Sequence, residues 1–157
     1  MTTSKHAVHF SSAKMTWATP LSFFRQMEET YGTFDLDVCA TAENTKCDSY
    51  ISPALNALTR PWRGQCWMNP PYGRELPQWI AKAWEEVACC SAISVVCLIP
   101  ARTDTAYWHD IIFPHATHIH FVRGRIKFEG AKAGAPFPSA VVVFGTAKKP
   151  IPTRITP

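Results

Sequence analysis

The run AISVVCLIP at residues 92–100 is the feature that most constrains the fold of this chain. It is almost continuously apolar and rich in β-branched residues, and Ser94 is its one hydroxyl side chain. Such a run is typical of a strand that is covered on both faces of its sheet. It therefore predicts a buried central strand with other elements packed above and below it.

The stretch ATPLSFFRQMEETYGTF, residues 18–34, predicts a helix that precedes the sheet. Thr19 is suited to the N-cap, Pro20 to the first helical position and Gly32 to the end of the helix. Apolar residues recur here every three to four positions, which predicts a single buried stripe. The stripe consists of Leu21, Phe24, Met27 and Tyr31.

Two further helices are predicted, one before and one after the central strand along the chain. LPQWIAKAWEEVACC, residues 76–90, has Pro77 near its start. RTDTAYWHDIIF, residues 102–113, predicts a third helix with Thr103 as its cap. The buried face expected for the first of these two helices consists of Ile80, Ala83, Trp84 and Val87.

Shorter strand patterns occupy most of the remaining chain, whereas the stretch up to Arg63 is read mainly as loop. The predicted strands are FDLDVCA (34–40), QCWM (65–68), HIHFVRG (118–124), RIKFEG (125–130) and SAVVVFG (139–145). The last two are separated by the Gly/Ala/Pro-rich loop AKAGAPFP (131–138). Strands and helices alternate and strands then gather at the end, so we expect an α/β fold with a largely parallel sheet and antiparallel C-terminal strands.

The composition is that of one folded domain. The chain has 157 residues, of which 46% are hydrophobic and 18% charged, and this length suits a single core better than two. We expect residues 1–157 to form one domain, with residues 1–14 flexible. The longest apolar run is too short to span a bilayer, and no signal-peptide pattern precedes it. These features predict a soluble protein that is not exported and works in the cytoplasm without a membrane partner.

Cysteine and histidine residues do not form a recognisable metal site in the sequence. None of the six cysteines forms a C-x-x-C pair, so reduced thiols are expected. HATHIH, residues 115–120, places histidines at alternate positions of a strand, but no acidic or cysteine ligand is close in sequence. We therefore predict no bound metal.

Positive charge is concentrated near the end of the chain. Residues 122–157 contain seven Lys and Arg against one acidic residue, a net charge of +6, whereas the whole chain carries +4. Such a stretch favours a polyanionic partner, although a solvated basic face gives the same pattern. The candidate contacts to nucleic acid are Arg123, Arg125, Lys127 and Lys132.

The turn NPPYG, residues 69–73, directly follows the predicted strand QCWM. Proline lacks an N–H and restricts the residue before it, so Asn69 and Pro70 are both held extended. The turn therefore offers two fixed acceptors, the Asn69 side-chain carbonyl and the Pro70 carbonyl, with the ring of Tyr72 close by. These groups suit a planar substrate that carries an NH₂ group. The structural alternative is a tight proline turn at the end of an edge strand.

The motif NPPY resembles the catalytic motif of S-adenosylmethionine-dependent amino-methyltransferases. Further stretches, in the same order over about residues 15–145, look like the phage-type DNA adenine methyltransferases. They are TWATPLSFF, FDLDVCATAENTKC, RPWRGQCWMNPPYGR, LIPARTDTAYWHD, RGRIKF and APFPSAVVVF. The resemblance implies a trimmed Rossmann-like methyltransferase fold and transfer of a methyl group from S-adenosyl-L-methionine to the N6 amino group of adenine in DNA.

The resemblance also assigns roles to individual residues. Thr19 and Pro20 match an element that closes over the methionine end of the cofactor. The loop with Asp37, Cys39 and Ala40 matches the one that cradles it. The catalytic turn corresponds to Asn69, Pro70, Pro71 and Tyr72. Tyr72 is expected to hold the base by stacking, and most of the six tryptophans are expected in the core.

The resemblance makes adenine-containing DNA the expected partner, with the target base flipped out of a duplex or supplied by single-stranded DNA. No separate target-recognition domain fits within this length, so selectivity has to come from loops or from a second subunit of a homo-oligomer. Three alternatives stay open. The first two are methylation of a glutamine amide and methylation of an RNA base, because both present the same NH₂ group. The third is a DNA-binding protein without a working cofactor site, because LDVCATAEN lacks the usual glycines.

Overall fold

A computed structural model describes residues 17–146 as a five-stranded sheet with helices on both faces. The strands are β1 (Leu36–Asp37), β2 (Gly64–Met68), β3 (Ala92–Pro100), β4 (His118–Phe121) and β5 (Ser139–Gly145). The principal helices are α1 (Leu21–Tyr31) and α2 (Leu76–Ala88). A π-helical stretch, Trp108–Ile112, continues into the short α3 (Phe113–His115), and 3₁₀ turns occupy Pro53–Leu55 and Ala57–Thr59.

The sheet has the order β1-β2-β3-β5-β4. Strands β1, β2 and β3 pair in parallel, and β5 inserts antiparallel between β3 and β4. The expected α/β fold, parallel at first and antiparallel towards the C-terminus, is confirmed. Strand β3 lies at its centre, where every residue from Ser94 to Pro100 is buried.

The two faces of the sheet carry different layers. On one face, α2 and the π-helical stretch pack through Trp79, Ile80 and Trp108 against strand residues such as Val95. On the other face lie α1 and an irregular stretch of residues 122–138, which we call the basic segment. This second layer matters for the site because the basic segment covers the end of the sheet beside the NPPY turn.

Helix α1 begins one residue later than predicted. Pro20 occupies the N-cap, and its carbonyl accepts the first helical hydrogen bond from Phe24 N. Thr19 is therefore not the cap, and its hydroxyl instead accepts a hydrogen bond from Asn69. Gly32 ends the helix as predicted, with a positive φ of 98° that glycine adopts without the steric penalty of other residues.

The buried stripes were only partly predicted. In α1, Phe24, Met27 and Tyr31 are buried as expected, but Phe23 takes the place assigned to Leu21, which is 46% exposed. In α2, Ile80 and Ala83 are buried as expected. Leu76, Trp79 and Glu86 complete the buried face in place of Trp84 and Val87, which are half-buried.

Two predicted elements differ in the structure. The stretch at 102–113 does not start as a helix at Thr103: the Thr105 hydroxyl donates to Arg102 O in a turn, and a helical stretch only follows. The predicted strand RIKFEG has no strand partner and is irregular. Ile126 and Phe128 are buried in alternation with exposed neighbours. The strand-like pattern therefore reflects packing against the face of the sheet that α1 covers, not hydrogen-bonded pairing with another strand.

No helix within residues 17–146 has the length and apolar character needed to cross a membrane. All six cysteines are free thiols. The expectation of flexibility for residues 1–14 concerns positions outside the described residues.

The Gln65 side chain is a buried polar link between β2 and the end of α1. Its Nε2 atom donates to the carbonyls of Tyr31 and Gly32 at 3.3 and 3.0 Å, and its Oε1 atom accepts from the Ser94 hydroxyl. We expect Gln65→Leu to lower the free energy of unfolding by about 1–3 kcal/mol, since buried carbonyls lose their donor. Urea denaturation measures this, with Gln26→Leu on α1, outside the buried stripe of that helix, as the control. Equal midpoints for the two variants would contradict this role of Gln65.

Candidate active site

The register of the first two strands brings two sequence-predicted site elements together. Asp37, the last residue of β1, pairs in parallel with Trp67 of β2. The two strands run in the same direction, so the loop after Asp37 and the turn after Met68 leave the sheet at the same edge. The predicted cofactor loop and the predicted catalytic turn are therefore neighbours.

The side chain of Asn69 is fixed in orientation by hydrogen bonds to distant parts of the chain. Its Nδ2 atom donates to the carbonyl of Trp17 and, at 2.9 Å, to the hydroxyl of Thr19. Its Oδ1 atom accepts from the Tyr72 hydroxyl at 2.6 Å. A carbonyl oxygen has two lone pairs, so Oδ1 keeps one acceptor position for another donor.

Tyr72 reaches the site through its hydroxyl rather than through an open ring face. The ring is 6% exposed and has edge-type contacts with Phe128 and Phe137. Burial raises the pKa of the phenol well above its ordinary value, so it stays a donor. Its single proton has two acceptors within reach, Asn69 Oδ1 at 2.6 Å and Leu98 O at 3.1 Å. In this arrangement, stacking of the ring on a base would require the ring to move.

Asp37 is a buried carboxylate at the end of β1, with an exposure of 4%. Its oxygens accept backbone hydrogen bonds from Cys39 N at 3.4 Å and Lys46 N at 3.3 Å. Burial raises the pKa of Asp37 to about 6, a shift that these two N–H groups and the charge of Lys46 partly offset. The local hydrogen bond from Cys39 coexists with a position of Asp37 in the cleft described next.

Two adjoining clefts connect these groups. The first, which we call the polar cleft, has an open volume of about 400 Å³ and is lined by Thr19, Asp37, Asn69 and Pro70, among others. The second, the large cleft, has an open volume of about 940 Å³. The residues that line both are Cys39, Asn44 and Pro71.

The other predicted residues lie close to these clefts. Ala40 lines the large cleft, and Pro20 sits at the N-cap of α1 beside the polar cleft. Five residues that line the polar cleft were not predicted as site residues, namely Trp17, Ala18, Asn44, Lys46 and Trp67. Trp17 had a signal, because it stands two residues before Thr19 in TWATP, but the contact of its carbonyl with Asn69 is not visible in the sequence.

The predicted nucleic-acid contacts are all exposed on the basic segment. They are Arg123, Arg125, Lys127 and Lys132. The segment is attached to the site through Glu129, whose N–H donates to Ala18 O at 3.0 Å and whose carboxylate pairs with Lys46 at 2.8 Å. The exposed cations therefore lie on the same piece of chain that contacts the loop after β1.

The fold defines a class of protein. The chain matches the crystal structure of a putative RNA methyltransferase from Pyrococcus horikoshii with a TM-score of 0.56 and 13% identity, over 85% of this chain and 88% of that one. At this identity the match concerns the fold alone, which is a Rossmann-like methyltransferase fold.

Residues 7–151 match the family model described as DNA N-6-adenine-methyltransferase (Dam), and the chain belongs to that family. It is 34% identical over 126 residues to a DNA N-6-adenine-methyltransferase of Haemophilus phage HP1, covering 78% of this chain and 71% of the phage protein. It is also 35% identical over 94 residues to one of Escherichia phage T1, covering 59% of this chain and 38% of that protein. The resemblance stated from the motifs is confirmed.

The buried Asp37 carboxylate predicts a pH-dependent stability. Its pKa is raised from 3.8 to about 6, so the folded state binds this proton more tightly than the unfolded state. The contribution is fully present below the unfolded pKa and is lost as the pH rises through about 6. Asp37→Asn, which cannot ionise, should therefore raise the free energy of unfolding at pH 7.5 by about 1–2 kcal/mol, with little change at pH 4.

Denaturant unfolding at the two pH values measures this difference. The matched control is Asp104→Asn at an exposed position, for which no pH-dependent gain is expected. A gain for Asp37→Asn that is equal at both pH values would show that the buried charge is not its cause.

Proposed function

We propose that this protein transfers the methyl group of S-adenosyl-L-methionine to the N6 amino group of adenine in DNA. The observation that supports this most is the Asn69 side chain, whose orientation is fixed by hydrogen bonds to Thr19 and Tyr72 in a cleft that Pro70 and Asp37 also line. Membership of the DNA N-6-adenine-methyltransferase family supplies the substrate class.

The chemistry of an amino group explains why two fixed acceptors are useful. The lone pair of the adenine amino nitrogen is delocalised into the ring, which makes the nitrogen a weak nucleophile. If Asn69 Oδ1 and Pro70 O accept its two hydrogens, the nitrogen is drawn towards tetrahedral geometry and its lone pair becomes available. Acceptors that are already oriented lose no reorganisation energy during the reaction.

Tyr72 and Thr19 act in this proposal as positioning residues for Asn69. Thr19 accepts from Nδ2, which prevents the amide from presenting its NH₂ group to the substrate. The Tyr72 hydroxyl donates to Oδ1, and it also has Leu98 O within 3.1 Å. It can therefore turn towards Leu98 when the amino group arrives, without leaving its own proton unpaired.

The residues of the two adjoining clefts fit S-adenosylmethionine. The polar cleft offers the Asp37 carboxylate, which suits the ammonium group of an amino acid and, with a pKa of about 6, is mostly ionised at pH 7.5. The large cleft offers Trp79 and Leu58 for a nucleoside. When bound, the cofactor supplies an activated methyl group. Burial and the nearby Asp37 raise the pKa of the Cys39 thiol well above its ordinary value, so this lining residue is neutral.

DNA would bind along the basic segment. Arg123, Arg125 and Lys127 are exposed there, and each can neutralise one phosphate. The amino group of adenine is inaccessible to such a recessed acceptor pair while the base is stacked in a duplex. The target base is therefore flipped out, or comes from single-stranded DNA.

The function is tested by mapping N6-methyladenine in DNA from cells that express the protein or its Asn69→Ala variant. We expect methylated adenines with the first and none above background with the second. Equal levels in both samples would refute the proposal, since they would not depend on the acceptor.

Single-turnover methylation of DNA separates the roles of the two hydrogen-bonded partners. Asn69→Ala should lower the rate by about 10²–10³-fold, as for other preorganised polar sites. Tyr72→Phe keeps the ring and loses only the hydroxyl, so its rate should fall by about 10-fold. Cofactor affinity should change little in either variant. Full turnover by Asn69→Ala at saturating cofactor would refute the catalytic role of the turn.

The basic segment is tested by the salt dependence of DNA binding. Replacing Arg123, Arg125 and Lys127 by Ala should flatten the slope of log affinity against log salt, by about 0.9 for each duplex phosphate that these side chains neutralise in the wild type. Arg63→Ala is the control, because Arg63 precedes β2 and lies at the opposite end of the strand from the site. If the triple variant keeps the slope of the wild type, DNA binds elsewhere.

A further inference from the structure

Strand β4 forms one edge of the sheet, and no strand within residues 17–146 pairs with its outer side. The opposite edge, β1, is covered by the chain that follows it. There Asp37 forms a bridge with Tyr50, donates from its N–H to Ser49 O and accepts from Ile51 N. A row of backbone groups on an open edge is a template for another strand. The β4 edge is therefore a candidate interaction surface.

The register of β4 shows which of its backbone groups point to the open side. Val122, the residue after β4, donates from its N–H to Ser139 O of β5, directly across the antiparallel pair. Only every second residue of such a strand bonds to its partner strand. His120 alternates in phase with Val122 and so faces β5. Ile119 and Phe121 therefore direct both their N–H and their C=O groups outwards.

The side chains at this edge favour pairing rather than prevent it. Edge strands are commonly protected by lysine or proline, but β4 has the sequence HIHF and contains neither. Phe121 is 57% exposed and Phe113, just before β4, is 48% exposed. Both rings contact the buried Trp108, at centroid distances of 6.0 and 5.5 Å. An exposed aromatic patch beside an open strand edge is typical of a protein–protein contact.

A second copy of the same strand fits this edge. When two β4 strands pair antiparallel about a two-fold axis at His120, Ile119 of each copy lies opposite Phe121 of the other, and their outward groups bond to each other. The exposed Phe121 ring then packs on Ile119 of the other copy, on one face of the joined sheet. Burial and the neighbouring His118 lower the pKa of His120, so the two His120 rings beside the axis are uncharged at pH 7.5.

We propose that this protein forms a dimer through antiparallel pairing of β4 with β4 of a second copy, which joins the two sheets into one. The two-fold axis is perpendicular to the sheet, so α1 and the basic segment of both copies lie on the same side. One DNA duplex can then contact both basic segments, a consequence that rests on the proposed function. Because the β1 edge is covered, the assembly closes at two copies.

Sedimentation equilibrium of the full chain tests the dimer, without DNA and at raised salt, which screens repulsion between the basic segments. We expect the wild type to associate reversibly to twice the mass of one chain. Phe121→Pro removes an outward N–H and keeps the bonds to β5, and Phe121→Lys places a charge at the edge. Each should raise the dissociation constant of the dimer by about 10-fold or more. The control is Ile93→Lys, at a 58% exposed apolar residue of β3, which should associate as the wild type does.

Amide hydrogen exchange of the wild type locates the interface. The amides of Ile119 and Phe121 should exchange more slowly in concentrated than in dilute protein, because pairing protects their N–H groups. A wild type that stays monomeric at its highest soluble concentration would overturn the proposal, and so would a dimer without added protection of these two amides. Both measurements are made without DNA. If the wild type dimerises through β4 and methylates no DNA, the proposed function fails and the dimer stands.

Discussion

The orientation of the Asn69 side chain is the constraint on which the rest of the site depends. Three groups fix it: the Trp17 carbonyl and the Thr19 hydroxyl accept from Nδ2, and the Tyr72 hydroxyl donates to Oδ1. Two of these partners lie about fifty positions earlier in the chain, so the acceptor is set only when the N-terminal stretch has docked against the turn after β2. Because both amide hydrogens are used, the oxygen is the one group that Asn69 offers to a substrate.

The parallel pairing of β1 and β2 supplies the second half of the arrangement. Asp37 leaves the sheet beside Asn69, so the group suited to the cofactor and the group suited to the amino substrate share one cleft. The cost is a buried carboxylate whose pKa is raised to about 6. Glu129 then joins the basic segment to both halves, through Lys46 after β1 and through Ala18 before α1. The basic segment and the polar cleft are therefore connected by direct contacts within residues 17–146.

Elements with a strong periodic pattern were predictable from the sequence, and the NPPY turn follows β2 as its place after QCWM predicts. The catalytic role of this turn stays a prediction. The buried strand at 92–100 and helix α2 appear where their patterns place them, whereas the strand predicted at 34–40 pairs only at Leu36–Asp37, so that Cys39 and Ala40 lie in the loop after it. The predictions that were wrong share a physical cause, because contacts between distant parts of the chain override the secondary-structure preference of the local sequence. Thr19 has the side chain of a cap but bonds to Asn69, and Ile126 and Phe128 alternate like a strand but pack on the layer formed with α1. The covered ring of Tyr72 follows from Phe137, sixty-five positions away, which no local pattern indicates.

The most direct test of the central claim is the identity of the atom that receives the methyl group. Purified protein is incubated with S-adenosylmethionine carrying a labelled methyl group, together with DNA, RNA and a glutamine-containing protein substrate in one reaction, and the products are digested and separated by mass. The account predicts label on N6 of deoxyadenosine, and its loss in Asn69→Ala. Label on a glutamine amide or on RNA, with none on DNA, would contradict it.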